Sequence, residues 1–201
     1  MEAALRLSAE GTLEELSMRG LAEAMGVTPM ALYRHVADKD DIMLAVTNER
    51  LEQQTLPSTD TPWATYLREL ALLMRALLRS EPAVLGVFAR RPVTVPAALA
   101  RLDAAVTVLT RGGFEARDAV RAYAAVHTYT LGFCSLEFAR GQRVGGHEVG
   151  LSERAAQIAS FVTETQFEYG LNSIIDGLKT GVAERAIADP PALQKDASKH
   201  A

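Results

Sequence analysis

The stretch Ser17 to Lys39, SMRGLAEAMGVTPMALYRHVADK, constrains this chain most. Ser17 is suited to cap a helix over Met18 to Met25, because its hydroxyl can accept from an N–H of the first turn. Gly26 is placed to end that helix, since glycine enters the left-handed region without a Cβ penalty. Thr28 then caps a second helix, with Pro29 at its first position, where a missing N–H costs nothing. That helix is predicted to run to about Val36. Leu16, Leu21, Met25, Val27, Leu32 and Val36 form the apolar set that would hold the two together. Two short helices around a glycine turn are the layout of a helix-turn-helix, whose second helix enters the DNA major groove.

Elsewhere strand signals are nearly absent and helical spacing recurs, so the fold class is all-α. A three-helix head, a linking helix and a larger helical body are expected. Residues 2–10 read as the first helix, stopping at Gly11. Asp38 caps the linking helix, with Asp41 three residues on as an acidic capping-box partner. Leu56 to Thr61 is turn chemistry. A helix then opens at Thr61-Pro62, a short one follows Pro82 and stops near Arg91-Pro92, and another spans about Pro96 to Arg111. Residues 115–140 form a long helix, 141–150 a glycine-rich loop, and Ser152 caps a segment that breaks near Thr163. The last helix runs to about Ala186, and Asp189-Pro190-Pro191 ends it. The expected domains are a DNA-binding head at 1–45, a ligand-binding and dimerisation body at 46–186, and a disordered tail at 187–201.

With 201 residues, 48% of them hydrophobic and 23% charged, the chain can bury a real core. No apolar run is long enough to span a bilayer, and the N-terminus does not read as a signal peptide. Cys134 is the sole cysteine, so no internal disulfide can form, and a cytoplasmic location is expected. The net charge of −4 argues against non-specific nucleic-acid binding by bulk charge. Residues 1–40 carry four bases (Arg6, Arg19, Arg34, Lys39) against seven acids, so a DNA-binding head must depend on a few well-placed contacts. No nucleophile elbow, phosphate loop, paired carboxylates or zinc spacing is present. His35, His127, His147 and His200 lie in unrelated contexts. His127 and Cys134 share a helix face, but a metal site would need further ligands. Neither an enzyme, a cofactor nor a metal site is expected; a helical adaptor that uses its head for protein contacts stays open.

The string L-A-x-x-M-G-V-x-x-x-x-L-Y-R-H-V-x-x-K is specific, and here the sequence resembles the TetR family of bacterial transcriptional regulators. The body is similar to that of the tetracycline-repressor-like branch. The matching features are Trp63, Arg91-Pro92, Gly112-Gly113-Phe114, Thr130-Leu131-Gly132, Phe167 to Leu171 and Asp176-Gly177-Leu178, in that order. The resemblance implies a homodimeric repressor that binds double-stranded operator DNA and is released by a small molecule. An activator of the same family is the alternative. By position, Arg19 resembles a base-reading residue of the first motif helix. Thr28, Met30, Ala31 and Arg34 resemble the base-facing set, Ser17, Tyr33, His35 and Lys39 the phosphate-contacting set, and Pro29 lies with them on the exposed face of the second motif helix as a further DNA-binding candidate. Positions that tetracycline repressors use for drug and magnesium fall on Leu70, Val87, Ala105 and Leu136, so magnesium–tetracycline is not expected as the ligand.

A largely apolar effector pocket is expected between the fifth and eighth helices. Its candidate lining is Leu70, Met74, Val87, Phe88, Arg91, Leu102, Val106, Tyr123, His127 and Cys134. Residues 63–121 hold nine arginines against five acids, read as solvated faces, with Arg90 or Arg91 the candidates to meet an anionic group. Gly170 and Gly177 repeat on one face of the last helix beside Phe167, Leu171, Ile174 and Leu178. That face, paired with the 115–140 helix, is the expected dimer interface, a four-helix contact across a two-fold axis.

Overall fold

The computed structural model describes residues 1–10, 17–90, 93–141 and 161–188, and among them only helices. In chain order these are α1 (Glu2–Ala9), α2 (Met18–Ala24), α3 (Pro29–Tyr33), α4 (Lys39–Glu52) and α5 (Trp63–Ser80). There follow α6 (Pro82–Arg90), α7 (Pro96–Arg111), α8 (Ala116–Gly141) and α9 (Glu164–Ala188). Leu16, Arg91, His147, Ser152, His200 and the tail beyond Ala188 lie outside the described residues.

The head is set by local chemistry. Ser17 Oγ accepts from the Gly20 N–H at 3.2 Å, and Thr28 Oγ1 from the Ala31 N–H at 3.2 Å. Gly26 turns the chain between them at φ +68°, where a Cβ would be strained. The second motif helix is shorter than expected. After Tyr33 the chain tightens, with the Arg34 and His35 N–H groups donating three residues back to Ala31 and Leu32. The next cap explains this: Asp38 must enter α4 from extended backbone, at φ −150°, so the preceding turn cannot continue as α-helix. Asp38 accepts from the Asp41 N–H, and Asp41 in return accepts from the Ala37 N–H, one residue earlier than a standard capping box.

Leu21, Ala22 and Leu32 pack with Ala4 and Leu7 of α1 and with Ile42, Met43 and Val46 of α4. Met25 and Val36 lean on this core, whereas Val27 is 42% exposed and takes no part in burying the motif. The body also contributes, because Ala83 and Val87 of α6 enter the head core. A buried polar link reinforces that joint. Ser8 donates to Glu81 at 2.7 Å, Arg50 pairs with Glu81 at 2.8 Å, and Arg50 also donates to the Leu5 carbonyl.

In the body α8 packs on α5, α7 and α9. Leu67, Ala71, Leu109, Phe114, Val126, Phe133, Phe167, Leu171 and Ile175 belong to its main core. Trp63 meets Phe114 edge-on at 5.0 Å, and Gly113, at φ +96°, makes the turn that brings Phe114 there. Arg75 is buried at the junction of α5, α8 and α9. It forks onto Glu137, pairs with Glu164, and lies 4.2 Å from the Phe167 ring. Burial opposes its charge, but the two carboxylates more than offset that and raise its pKa. Thr163 caps α9 by accepting from the Gln166 N–H.

Candidate DNA-reading helix and effector cavity

Of α3 only Leu32 is buried. Thr28, Pro29, Met30, Tyr33, Arg34 and His35 are exposed, with Met30 at 71% and Tyr33 at 53%; Ala31 is half-buried. Two large apolar side chains so open to water are not explained by the fold. Arg19 is exposed on α2, and Ser17 is exposed at the start of that helix. The Ser17 and Thr28 oxygens already accept from the backbone, which leaves their O–H groups to donate. Lys39 is half-buried at the first turn of α4, where Asp38, Asp40 and Asp41 gather. These three carboxylates oppose a phosphate there, so the expected contact at Lys39 is weaker than its position suggests.

Between α4, α5, α6, α7 and α8 lies a cavity of about 470 Å³. Leu51, Met74, Phe88, Leu99, Arg101, Leu102, Tyr123, His127 and Leu131 are among its walls. A narrower hollow continues inward past Leu70, Val126 and Thr130, sharing Met74, Arg101, Tyr123 and His127. Five of the expected lining residues, Met74, Phe88, Leu102, Tyr123 and His127, thus meet on the cavity, and Leu70 on its inner extension. Three do not. Val87 faces the opposite side of α6 and belongs to the head core. Val106 packs against the core of α5, α8 and α9. Cys134 borders a separate hollow with Leu78, Arg79 and Glu137.

His127 stacks on Tyr123 at 5.4 Å and meets Phe88 edge-on at 5.6 Å. Burial, helped by the charge of Arg101, lowers the His127 pKa and so favours the neutral ring. Burial likewise raises the Tyr123 and Tyr66 phenols. The polar residue that sequence reading missed is Arg101, only 2% exposed. Nothing local distinguishes it from the solvated arginines around it.

The expected dimer face needs correction. Phe167 and Leu171 are buried within the subunit's own core and cannot reach a partner. Gly170 serves the subunit too, since a Cβ there would overlap the Tyr129 ring, whose hydroxyl donates to the Gln166 and Phe167 carbonyls at 3.1 Å. Ile174 and Leu178 are half-buried at the edge of that core. Gly177 is exposed, with space around it. Among the described side chains of α8 and α9 the large open apolar groups are Val120, Leu136, Phe138 and Tyr169, with Gly132 also exposed.

A helix-turn-helix whose second helix turns unburied side chains outward, joined to a helical body with a hollow centre, defines a one-component regulator. Residues 1–46 match the model of the bacterial regulatory proteins of the tetR family, and residues 56–182 that of the tetracyclin repressor-like C-terminal domain. The chain belongs to the TetR family. It is 30% identical to the class A tetracycline repressor of transposon 1721 from Escherichia coli, over 89% of this chain and 88% of that protein. It is 28% identical to the HTH-type transcriptional repressor DrrR1 of Streptomyces coeruleorubidus, over 92% and 77%. A possible TetR-family regulator from Streptomyces coelicolor A3(2) superposes with a TM-score of 0.75 at 30% identity, covering 90% of this chain and 97% of that one. A TetR variant from Acinetobacter baumannii in complex with minocycline gives 0.72 at 27% identity, over 89% and 93%. The protein is a ligand-responsive, DNA-binding transcriptional repressor of a family whose members are dimeric.

Proposed function

We propose that the repressor reads its operator with α3 and Arg19, and that an organic effector entering the cavity releases it. The exposed pair Met30 and Tyr33, on a helix whose buried side is held by Leu32, is the observation that carries the DNA reading. Apolar side chains there suit thymine methyl groups, and Arg19 and Arg34 suit guanine. Ser17, Thr28, Tyr33 and His35 supply hydroxyl and ring donors for phosphates, around Pro29 and Ala31. Two heads act together through a homodimer. Its face is formed by the outward sides of α8 and α9, including Gly132, Leu136, Tyr169 and Gly177. The head covers 1–45 and the body 46–186, with α4 as the rod between them. The protein works in the cytoplasm and catalyses nothing.

The effector is not magnesium–tetracycline. Leu70 and Ala105 are buried and aliphatic, Val87 is committed to the head, and Leu136 is exposed. None of these side chains can ligate a cation. A gel shift on DNA flanking the gene tests the reading. Saturable binding by the parent is expected, with Arg34→Ala weakening it roughly 5- to 150-fold. Because the head is acidic, the salt dependence should correspond to few phosphates, with a slope of about 0.9 per contact. No saturable binding, or equal affinity in Arg34→Ala, would leave α3 without the role given to it.

A further inference from the structure

Among the described residues two arginines of the body are buried, and the fold treats them differently. Arg75 meets Glu137 and Glu164. Arg101, on the wall common to the cavity and its inner extension, meets no carboxylate among the described residues; the charged or polar neighbours that act on it are Tyr123 and Tyr66. Its Nη2 donates to the Leu51 carbonyl at 2.7 Å and to Gln54 Oε1 at 2.8 Å. Its Nε and Nη1 are buried and have no hydrogen-bond partner among the described residues, and neither has the buried Tyr66 hydroxyl. A guanidinium cannot shed its charge in a protein, so burial leaves Arg101 as an uncompensated cation. Around it the walls are mostly apolar, with Met74, Phe88, Leu102 and Leu131 among them, and the exposed Arg90 also lines the cavity.

We propose that the effector of this repressor is a small organic anion: an apolar body carrying one ionised oxygen acid, seated on Arg101. This deepens the cavity reading above and rests on it. The Nε and Nη1 groups of Arg101 touch no open space in the unliganded cavity, so the ligand's anionic oxygen reaches them by displacing the wall beside the guanidinium, and there supplies the counter-ion that the described residues omit. His127 and the Tyr123 and Tyr66 hydroxyls lie within electrostatic reach of the same charge. A cationic drug or a bare metal ion is repelled from this wall. The same guanidinium holds the carbonyl of Leu51, in the last turn of the helix that carries the head. The ligand's charge therefore acts on the group that anchors α4.

The test uses the full-length protein and two fluorescent probes that share one ring system, anionic anilinonaphthalene sulfonate and uncharged phenylnaphthylamine. Both should bind saturably, the sulfonate about tenfold tighter or more. Arg101→Met should abolish that preference while leaving the neutral probe within about twofold, and Arg101→Lys, which keeps a charge, should retain part of it. Because the parent alone reports the preference, a variant that fails to fold does not remove the test. Equal affinity for the two probes overturns the anion proposal and spares the cavity. Equal loss of both probes in a folded Arg101→Met also overturns it, since Arg101 would then be only a tether for α4. Binding of neither probe overturns both readings.

Discussion

Cys134 illustrates how much a single residue's chemistry depends on its surroundings. It is 2% exposed on α8, and burial, with Glu137 nearby, pushes its thiol up to about 11. Only the thiolate attacks an alkylating agent, so at about pH 8 roughly one molecule in a thousand is reactive. Native protein should therefore react with iodoacetamide at least about a hundredfold more slowly than urea-unfolded protein in the same buffer. Similar rates in the two states would mean that α8 exposes this thiol. From the sequence Cys134 is a candidate ligand contact, but the structure places it away from the cavity, on a separate hollow with Leu78, Arg79 and Glu137. The arginines were harder to separate. Nine of them within 63–121 read alike as solvated. Arg75 is distinguished by Glu137, 62 residues away, and Arg101 by the absence of any such partner. The cost of burying a charge is set by neighbours in space, which one-dimensional spacing does not contain.

Helix starts were legible because they are local. Ser17, Thr28 and Asp38 each accept from an N–H three residues on, an interaction written in four consecutive residues, whereas Thr163, which caps α9 in the same way, reads in sequence only as a break. The early stop of α3 was less so, since it depends on where α4 must begin. Which helix faces meet was less legible still. The glycine at 170 marks a close approach, but to Tyr129 of α8 in the same subunit rather than to a second copy. Glycine spacing reports that something comes near without saying what. Gly170→Ala should displace the Tyr129 ring and strain its two hydrogen bonds to α9, destabilising the protein by roughly 1–3 kcal/mol. Urea denaturation measures this. A change within a few tenths of a kcal/mol would show that the ring moves aside freely, and that the α8–α9 joint is looser than its geometry implies.

At the scale of the molecule, the division into head and body is clear in sequence but incomplete in packing. Ala83 and Val87 of α6 complete the head core, and α4 packs against α6 and α7. A head that fills its own core with body residues cannot unfold at no cost to the body. The two parts should therefore melt in one cooperative transition, unlike domains joined only by a linker. The Ser8–Glu81–Arg50 link is the polar part of this joint. Glu81 is 6% exposed, and removing it strands a partly buried guanidinium and the Ser8 hydroxyl. Glu81→Ala should cost about 3 kcal/mol, somewhat less where water reaches Arg50. Calorimetry of the parent and of Glu81→Ala checks both statements. One transition is expected for the parent, and a lower midpoint for the variant, with an earlier head transition splitting off if the apolar contacts alone cannot hold the joint. Two separate transitions in the parent would show that the head is thermodynamically independent. In that case a signal from the cavity would have to travel through α4 alone, because a ligand can bias the heads only through contacts whose energy differs between the bound and released states.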